Sequence, residues 1–548
     1  MQKFLKLIPC WAILIWSTGT FAAGLQSAVA DPDSIVPPKD WINLDPQADQ
    51  VMGTGSDKAY ELLLKDKTPR QTVVVAVIDS GVDIEHEDLQ GKIWTNSKEI
   101  PGNGKDDDGN GYVDDIHGWN FIGGRDGANI ESDSYELTRE YVRLKNKYEN
   151  ADPGSIKRRD REEFAYWQKI EKDFESKKEE AVMNHQFTTQ LKDNLTMISQ
   201  VLKEAAGKED ITPQDLKDID DEDPRVAQAA TMVAQLFANI GGEDATLNAV
   251  LEELDRAVAH YGNQVEYAFN PDFDPRDIVG DDPDNYKERK YGNNDVTGPD
   301  ASHGTHVAGI IAANRNNTLG MRGIAEHVLI MPVRAVPDGD ERDKDVANAI
   351  YYAVDNGADI INMSFGKAYS PGKKYVDKAV KYAQRKGVLL IHAAGNSGEE
   401  VTPENNYPNR WIGRRGKPAQ NWIAVGASSW EKGGDLPGTF SNYSQQSVDF
   451  FAPGVDVYST LPDNEYDENS GTSMAAPAAT GVAALLLAYY PDLKPAEVVD
   501  ILRNSVYDLS EELVTKPGED EQVPFGTLSV TGGLVNAYKA IQLAEQMQ

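Results

Sequence analysis

Cysteine is almost absent from this chain, which contains a single one, Cys10, among 548 residues. Cys10 lies near the amino terminus, inside the segment interpreted below as an export signal. Once that segment is removed, no cysteine remains to form a disulfide, to act as a nucleophile or to bind a metal. The sequence therefore excludes thiol chemistry from any active site of the mature protein.

Positive charge is also scarce, because 54 lysines and arginines face 89 aspartates and glutamates, for a formal net charge of −35. A field of that sign repels nucleic acid and anionic membrane surfaces, and it favours divalent cations. We therefore expect no nucleic acid among the partners. The remaining composition, 40% hydrophobic and 26% charged, is that of a globular protein.

Beyond the first thirty residues, we expect no stretch that approaches a membrane span. Within those thirty residues, two lysines precede the apolar centre Trp11–Trp16, and small residues follow, with Ala28–Ala30 as one plausible cleavage site and Ala22–Ala23 as another. The apolar run is too short to span a bilayer. We therefore predict a signal peptide over residues 1–30 and a periplasmic or extracellular protein with no stable membrane span after signal removal. The alternative is an uncleaved anchor.

Apolar strands alternate with helical patterns in most of the chain. The continuous β-branched run Gln71–Ser80 is typical of a strand that is buried on both faces of a parallel sheet. This alternation predicts an α/β fold: a doubly wound, mostly parallel sheet with helices on both faces. Ligands bind beyond the carboxyl ends of such strands, and Asp79 lies at one of these ends. Further strands are expected at Leu329–Val333, Asp359–Phe365, Gly387–Ala393 and Trp422–Ala427, and helices at Asp345–Asn356, Val376–Lys386 and Ser473–Tyr490.

One region breaks this alternation. Residues 131–262 are charged, poor in glycine and proline, and periodic at helical spacing, which predicts an inserted α-helical subdomain with its own small core. The expected organisation is a signal at 1–30, an N-terminal extension and the first part of the main domain at 31–130, the insertion at 131–262, and the rest of the main domain at 263–548. Two apolar stripes define the expected helical core: Phe164, Trp167, Ile170 and Phe174, and then Leu191, Leu195, Ile198 and Leu202.

Three short stretches combine residue types that serve nucleophilic catalysis. A serine hydroxyl needs a neighbouring base to accept its proton, histidine titrates near neutral pH, and a carboxylate behind the imidazole fixes its tautomer. Asp79, His303 and Ser473 supply these three groups. Read alone, Asp79 is equally a turn carboxylate, and Ser473 a helix cap. The stretches are Val77–Gly81, His303–Gly309 and Gly471–Pro477.

A fourth stretch, Ala393–Gly398, carries Asn396 after a strand, where an amide donor is suited to stabilising an oxyanion. The four stretches, in this order, resemble the signature blocks of the subtilisin-like serine proteases, the subtilases. The resemblance implies an exported serine endopeptidase that cleaves polypeptide substrates through an acyl-enzyme intermediate. A catalytically inactive scaffold on the same fold is the alternative. One departure is the long separation of Asp79 and His303, where compact members of the family have a few dozen residues.

The resemblance also implies residue roles. Asp79 is the orienting acid, His303 the general base and Ser473 the nucleophile, and Asn396 falls on the oxyanion residue. The histidines at 303 and 306 also have a spacing that metal ligands use, but no third ligand accompanies them. Substrate-binding roles are implied for Ser364, Phe365 and Gly366, in a strand that pairs with extended substrate, and for Ala393, Ala394 and Gly395, which line the primary specificity pocket.

An acidic loop indicates a metal. In the run Asp106–Asp115, hard oxygen donors alternate with other residues, and glycines allow the backbone to wrap tightly. This pattern resembles a calcium loop. Subtilases often bind calcium, so we expect a structural calcium ion and no cofactor for catalysis. The alternative is an Asn-Gly turn with solvated carboxylates. The candidate ligands are Asp106, Asp108, Asn110, the backbone carbonyl of Tyr112, and Asp115.

Overall fold

The computed structural model describes residues 38–219, 223–240, 246–413 and 416–547. The predicted signal peptide lies outside the described residues. The described chain divides into two compact units. One is the helical segment Leu137–Phe273, and the other consists of the residues that precede and follow it in sequence.

The larger unit contains a nine-stranded sheet and three two-stranded sheets. The predicted strands are confirmed to within a few residues at each end. The strands are β1 Val73–Asp79, β2 Trp119–Asn120, β3 Val328–Arg334, β4 Ile360–Met363, β5 Leu389–Ala393, β6 Trp411–Ile412, β7 Lys417–Pro418, β8 Trp422–Ser428, β9 Phe450–Pro453, β10 Val457–Leu461, β11 Glu465–Asn469, β12 Tyr507–Asp508, β13 Leu513–Thr515, β14 Gln522–Pro524 and β15 Gly533–Leu534.

The predicted helices of this unit are also confirmed, with small shifts at their ends. In chain order, the α-helices of both units are α1 Ser56–Ala59, α2 Glu136–Tyr148, α3 Arg161–Ala206, α4 Pro213–Asp218, α5 Pro224–Ile240, α6 Leu247–Asn263, α7 Ser302–Ala312, α8 Asp343–Asp355, α9 Lys373–Lys386, α10 Thr472–Tyr489, α11 Pro495–Asn504 and α12 Ala537–Gln546.

The large sheet has the order β12-β15-β9-β8-β5-β4-β1-β3-β2. Every neighbouring pair is parallel except β12 with β15. The chain moves to one side of β1 to form β3 and then returns to the other side to form β4. Ligand sites in doubly wound sheets lie where the strand order reverses, so this topology directs attention to the carboxyl end of β1, at Asp79.

Strand β1 is buried on both faces, as its sequence predicts. Val73, Val75 and Val77 pack in one apolar cluster, and Ala76 and Ile78 pack in another on the opposite face, because side chains alternate along a strand. Helices α7 and α10 contribute to the first cluster, and α8 and α9 to the second. The core therefore consists of two layers that hold the central strands rigidly between them.

Helix α10 departs from the expectation that no stretch after the first thirty residues approaches a membrane span. Among the described residues, it alone is long and apolar enough to cross a bilayer. However, 94% of its apolar window is buried inside the protein. It is therefore the central core helix of the larger unit, and its first turn carries Ser473.

The smaller unit is helical. Both predicted apolar stripes lie on the single helix α3, which is 46 residues long. In the first stripe Trp167, Ile170 and Phe174 are buried, and Phe174 stacks on Tyr141 with ring centroids 4.0 Å apart. The second stripe packs with α5 and α6 in a separate apolar cluster. The aromatic stripe is thus core packing in this unit.

Candidate active site

Asp79 and His303, 224 residues apart in sequence, meet at the carboxyl end of β1. Asp79 ends the strand, is 2% exposed, and accepts a hydrogen bond at Oδ1 from the backbone N–H of Ser80 at 2.9 Å. The same oxygen lies 2.6 Å from Nδ1 of His303, which stands in the first turn of α7. A Cβ on Gly304 would lie 2.0 Å from the Gly81 carbonyl oxygen, so only glycine permits this close approach of helix and strand.

Burial and the neighbouring Asp79 have opposite effects on the pKa of His303. Burial lowers the pKa of the imidazole, but the negative charge of Asp79 and its hydrogen bond outweigh burial, and the pKa is raised above its ordinary value. The side chain still keeps 40% of its surface open. With Nδ1 held by Asp79, Nε2 is the nitrogen left to exchange a proton with another group.

Ser473 occupies the second position of α10. Its hydroxyl donates to the Ser364 carbonyl oxygen at 3.0 Å. Within the described residues, no hydrogen bond joins it to His303. Catalytic hydrogen bonds are often long or absent in unliganded enzymes and form when substrate binds, so this orientation is compatible with a rotation of the hydroxyl towards the imidazole.

The position of Ser473 is fixed by an unusual feature of its helix. Pro477 has no backbone N–H, so it cannot donate to the carbonyl of Ser473 four residues earlier. The hydroxyl of Ser364 donates to that carbonyl instead, at 2.9 Å. The side chain of Asn362 donates to the same hydroxyl at 3.0 Å, and Thr480 donates to Asn362 at 2.8 Å. A buried polar network thus ties the start of α10 to the end of β4.

Asn396 lies at the entrance of α10. Its side-chain oxygen accepts hydrogen bonds from the backbone N–H of Thr472 at 2.9 Å and from the Thr472 hydroxyl at 2.8 Å. These bonds engage the oxygen and fix the orientation of the Asn396 amide. A Cβ built on Gly471 would lie 3.4 Å from that nitrogen and 3.6 Å from the backbone nitrogen of Ser473. Two donors therefore converge beside Gly471, at the positive end of a helix, where negative charge is favoured.

The residues with predicted substrate-binding roles follow two adjacent parallel strands. Ser364, Phe365 and Gly366 come directly after β4, whereas Ala393 ends β5 and is followed by Ala394 and Gly395. Because β4 and β5 pair in parallel, both segments leave the same edge of the sheet.

Sequence reasoning missed two asparagines beside these segments. Asn406 and Asn442 each donate to the Ala394 carbonyl oxygen, at 2.9 and 3.0 Å. Asn442 also accepts from the backbone N–H groups of Ser397 and Glu399. Neither asparagine belongs to a block that resembles catalytic sequence, so only the tertiary contacts identify them as supports of the loop that carries Asn396.

His306 takes no part in this constellation. It is buried, and its Nε2 lies 3.2 Å from the backbone oxygen of Asp467. Burial lowers its pKa to about 4, so the ring is neutral at neutral pH. The spacing of His303 and His306 therefore does not bring the two rings to a common ligand, and no metal-binding group of the described residues includes either of them.

The acidic loop brings three carboxylates together. Oxygens of Asp106, Asp108 and Glu99 lie within 4.8 Å of one another. Glu99 was not predicted, because it precedes the loop by several residues. Its Oε1 accepts from the backbone N–H groups of Asp107 and Asp108, whereas its Oε2 is buried without a partner among the described residues. An orphaned buried carboxylate oxygen beside two further carboxylates fits a hard divalent cation.

The other candidate ligands have different surroundings. The side-chain oxygen of Asn110 accepts from the backbone N–H of Tyr112, whose ring packs in the core. Asp115 is fully buried and accepts hydrogen bonds from Tyr352, Asn110 and Asn96. Burial raises the pKa of Asp115 to about 6. The oxygens of Asp115 are not part of the three-carboxylate group. Asn96 connects Asp115 to that group, because its side chain also donates to Asp108.

The described residues thus combine a parallel doubly wound sheet, a His–Asp pair at its switch point and a serine in the first turn of a core helix. The subtilase family model matches residues 70–526, and the chain belongs to that family. It is 41% identical to a thermophilic serine proteinase of Bacillus sp. strain AK1 over 40% of this chain and 49% of the relative. It is 36% identical to subtilisin DY of Bacillus licheniformis over 38% and 72%, and 35% identical to thermitase of Thermoactinomyces vulgaris over 44% and 75%. The chain thus spans about half the length of the first of these relatives.

Proposed function

We propose that this protein is an exported serine endopeptidase that hydrolyses polypeptides through Asp79, His303 and Ser473. The observation that carries the proposal is the 2.6 Å contact between Nδ1 of His303 and buried Asp79, which leaves Nε2 to serve a helix-terminal serine. Membership of a family whose relatives are named as serine proteinases and subtilisins supports the same reaction.

The proposed reaction begins with a rotation of the Ser473 hydroxyl from the Ser364 carbonyl towards Nε2 of His303. His303 accepts the hydroxyl proton as the oxygen attacks the scissile carbonyl, and Asp79 stabilises the imidazolium that forms. The imidazolium then donates its proton to the leaving amine. Water hydrolyses the resulting acyl-enzyme by the same proton route in reverse, and Ser473 is regenerated.

The negative charge of the tetrahedral intermediate needs donors that are already in position. We assign this role to the amide nitrogen of Asn396 and the backbone N–H of Ser473, which converge beside Gly471. Thr472 holds the oxygen of the Asn396 side chain, so the amide does not have to reorient during the reaction. Extended substrate would lie along the segments after β4 and β5.

We further propose a structural calcium ion held by Glu99, Asp106 and Asp108. When bound, the cation would neutralise three neighbouring carboxylates and stiffen the loop, with no part in the chemical steps. Asn110 and the carbonyl of Tyr112 are candidate additional ligands, and Asp115 supports the loop through Asn110. The helical segment predicted at 131–262 is proposed as an insertion between the two parts of the peptidase domain, and the first thirty residues as the export signal.

A fluorophosphonate probe tests the proposed function directly. The probe should modify the parent protein at one serine, and mass spectrometry should locate the adduct on Ser473. Ser473→Ala should abolish both labelling and peptide hydrolysis, whereas Ser155→Ala, at an exposed serine of the helical unit, should leave both intact. A well-folded parent protein that remains unlabelled and cleaves no peptide would instead support the inactive-scaffold alternative.

A further inference from the structure

A strongly basic surface interrupts this acidic protein. Six of the fourteen residues of α9 are lysine or arginine, and one, Asp377, is acidic. The neighbouring hairpin of β6 and β7 adds Lys417. In a chain of net charge −35, this concentration of cations is a local reversal of sign.

The acids near this surface are already engaged. Asp377 accepts from Nζ of Lys373 and from the backbone N–H of Gly413, each at 2.7 Å, which also fixes the hairpin to α9. Asp355 accepts from the hydroxyl of Tyr382. Among the described residues of α9 and the hairpin, six cations have no carboxylate within 4.0 Å, and we call this set the basic face: Lys374, Lys378, Lys381, Arg385, Lys386 and Lys417.

Part of the basic face surrounds a cavity of about 530 Å³. Lys381, Arg385 and Lys417 line it together with the amides of Gln384 and Gln420, and no acidic residue lines it. A Cβ on Gly413 would lie 2.7 Å from Nζ of Lys381, so the glycine leaves room for the ammonium group beside the hairpin. The concavity thus offers converging positive charges and neutral hydrogen-bonding groups.

An anionic membrane, duplex DNA and an anionic polysaccharide could each bind a positively charged surface. The residues around the basic face and the net charge of the protein distinguish these three classes. A membrane surface requires apolar anchors, but no exposed large hydrophobic residue of the described chain lies between positions 373 and 420. Duplex DNA carries a charge about every 1.7 Å, so the net negative field of this protein opposes its approach strongly. A polysaccharide carries fewer charges per unit length and many hydroxyls, which suit glutamine amides.

We propose that the basic face and its cavity bind a linear anionic polysaccharide, with sulfate or carboxylate groups paired to Lys381, Arg385 and Lys417. The rings of Tyr375 and Tyr382 lie between the cations, with Nζ of Lys378 4.9 Å from the first and Nζ of Lys386 5.6 Å from the second. One face of the Tyr375 ring is stacked on Tyr286, with ring centroids 3.9 Å apart, so the rings support the cations rather than offer open surfaces. The site would hold the protein on an anionic polymer without using the groups around Ser473.

Binding of the full-length protein to immobilised heparin, polygalacturonate, duplex DNA and anionic phospholipid vesicles tests the proposal. We expect retention on at least one of the two polysaccharides at about 0.15 M salt, with loss of binding at higher salt because charges are screened. The combined variant Lys381→Gln, Arg385→Gln and Lys417→Gln should bind about tenfold more weakly or worse, since three charge-assisted contacts are removed.

The matched control carries the same change of charge at three exposed lysines elsewhere, Lys65→Gln, Lys177→Gln and Lys287→Gln, and should bind as the parent does. Thermal midpoints of both variants establish that they are folded. Preference for heparin or for polygalacturonate identifies the acid group. The proposal is overturned if neither polysaccharide binds, if both triple variants lose affinity equally, or if DNA or vesicles bind more tightly than either polysaccharide.

Discussion

The substitution Asp79→Asn examines the electrostatic centre of the proposed mechanism. Oδ1 of Asp79 accepts from both Ser80 and His303, so an asparagine that keeps its oxygen there preserves both bonds and the volume of the side chain. What it removes is the negative charge, at a site that is 2% exposed. The substitution therefore separates the charge of Asp79 from its geometric role.

The expected loss follows from the separation of the charges. Opposite unit charges about 4 Å apart interact by about 4 kcal/mol at an effective dielectric constant of about 20, which corresponds to roughly 10³ in rate. If the amide instead presents its nitrogen to His303, the imidazole tautomer is wrong and the loss approaches about 10⁴. We expect kcat/KM to fall by about 10³–10⁴.

The pH profile supplies a second readout with a definite sign. Activity requires neutral imidazole, so kcat/KM of the parent rises as the pH passes through the raised pKa of His303, above its ordinary value of about 6.5. Without the charge of Asp79, burial, which lowers the pKa of the ring, is opposed mainly by the smaller effect of Asp300. The acid limb of the variant should therefore move to lower pH, with a smaller plateau.

The assay is steady-state hydrolysis of a chromogenic peptide from about pH 4 to pH 9, a range that brackets the ordinary histidine pKa. Asp359→Asn is the matched control. This aspartate accepts from the backbone N–H of Val74, at the opposite end of β1, at 2.8 Å. It should retain the activity and pH profile of the parent. Activity of Asp79→Asn within about tenfold of the parent, or an unmoved acid limb, would refute the assignment of Asp79.

Three further predictions concern the oxyanion donor, the metal and the fold. Asn396→Ala should lower kcat by about 10²–10³ with little change in KM, because the amide stabilises charge that develops only in the transition state. Calcium should raise the thermal midpoint of the parent, and Glu99→Gln should reduce that rise, because it removes a buried carboxylate of the proposed site. Arg276→Met should lower the free energy of unfolding by about 3–5 kcal/mol in urea titrations, because it leaves buried Asp345 without its cation and leaves buried Asp281, which Arg276 also contacts at 2.6 Å, with Lys344 as its remaining cation.

Each of these substitutions has a control of the same type. Asn405→Ala, at an exposed asparagine, should leave kcat unchanged, and a loss confined to KM in Asn396→Ala would contradict the oxyanion role. Glu511→Gln should keep the full response to calcium, and melting curves that are identical in calcium and in chelator would eliminate the metal site. Arg70→Met breaks an exposed pair with Asp492 and should scarcely change stability, so equal losses for both arginines would argue against the buried network.

Prediction from the sequence succeeded where local patterns and tertiary environment agree. The β-branched run of β1 and the alternation of strands and helices specify the sheet, because a strand buried on both faces must be apolar at consecutive positions. Strand ends shifted by one or two residues, for example from Gln71–Ser80 to Val73–Asp79, since pairing with β3 and β4 sets the ends. Helix α10 is apolar on all sides because it is buried in the core against the sheet and other helices.

The candidate site was predictable only in its main groups. Asp79, His303, Ser473 and Asn396 stand in short patterns that indicate chemistry by themselves. Glu99 does not, because it becomes a partner of Asp106 and Asp108 only when the loop folds back. The supporting asparagines are likewise defined by their bonds to the Ala394 carbonyl, which connect segments that are far apart in sequence.

The sequence alone determined the family resemblance, the α/β architecture and the candidate groups for catalysis, because these depend on residue types and on periodicity within short segments. The tertiary structure alone decided which groups meet. It joined Asp79 to His303 across 224 residues, turned the Ser473 hydroxyl to Ser364, and left one oxygen of Glu99 buried beside two other carboxylates. Such contacts depend on how distant segments pack, and no local pattern encodes them.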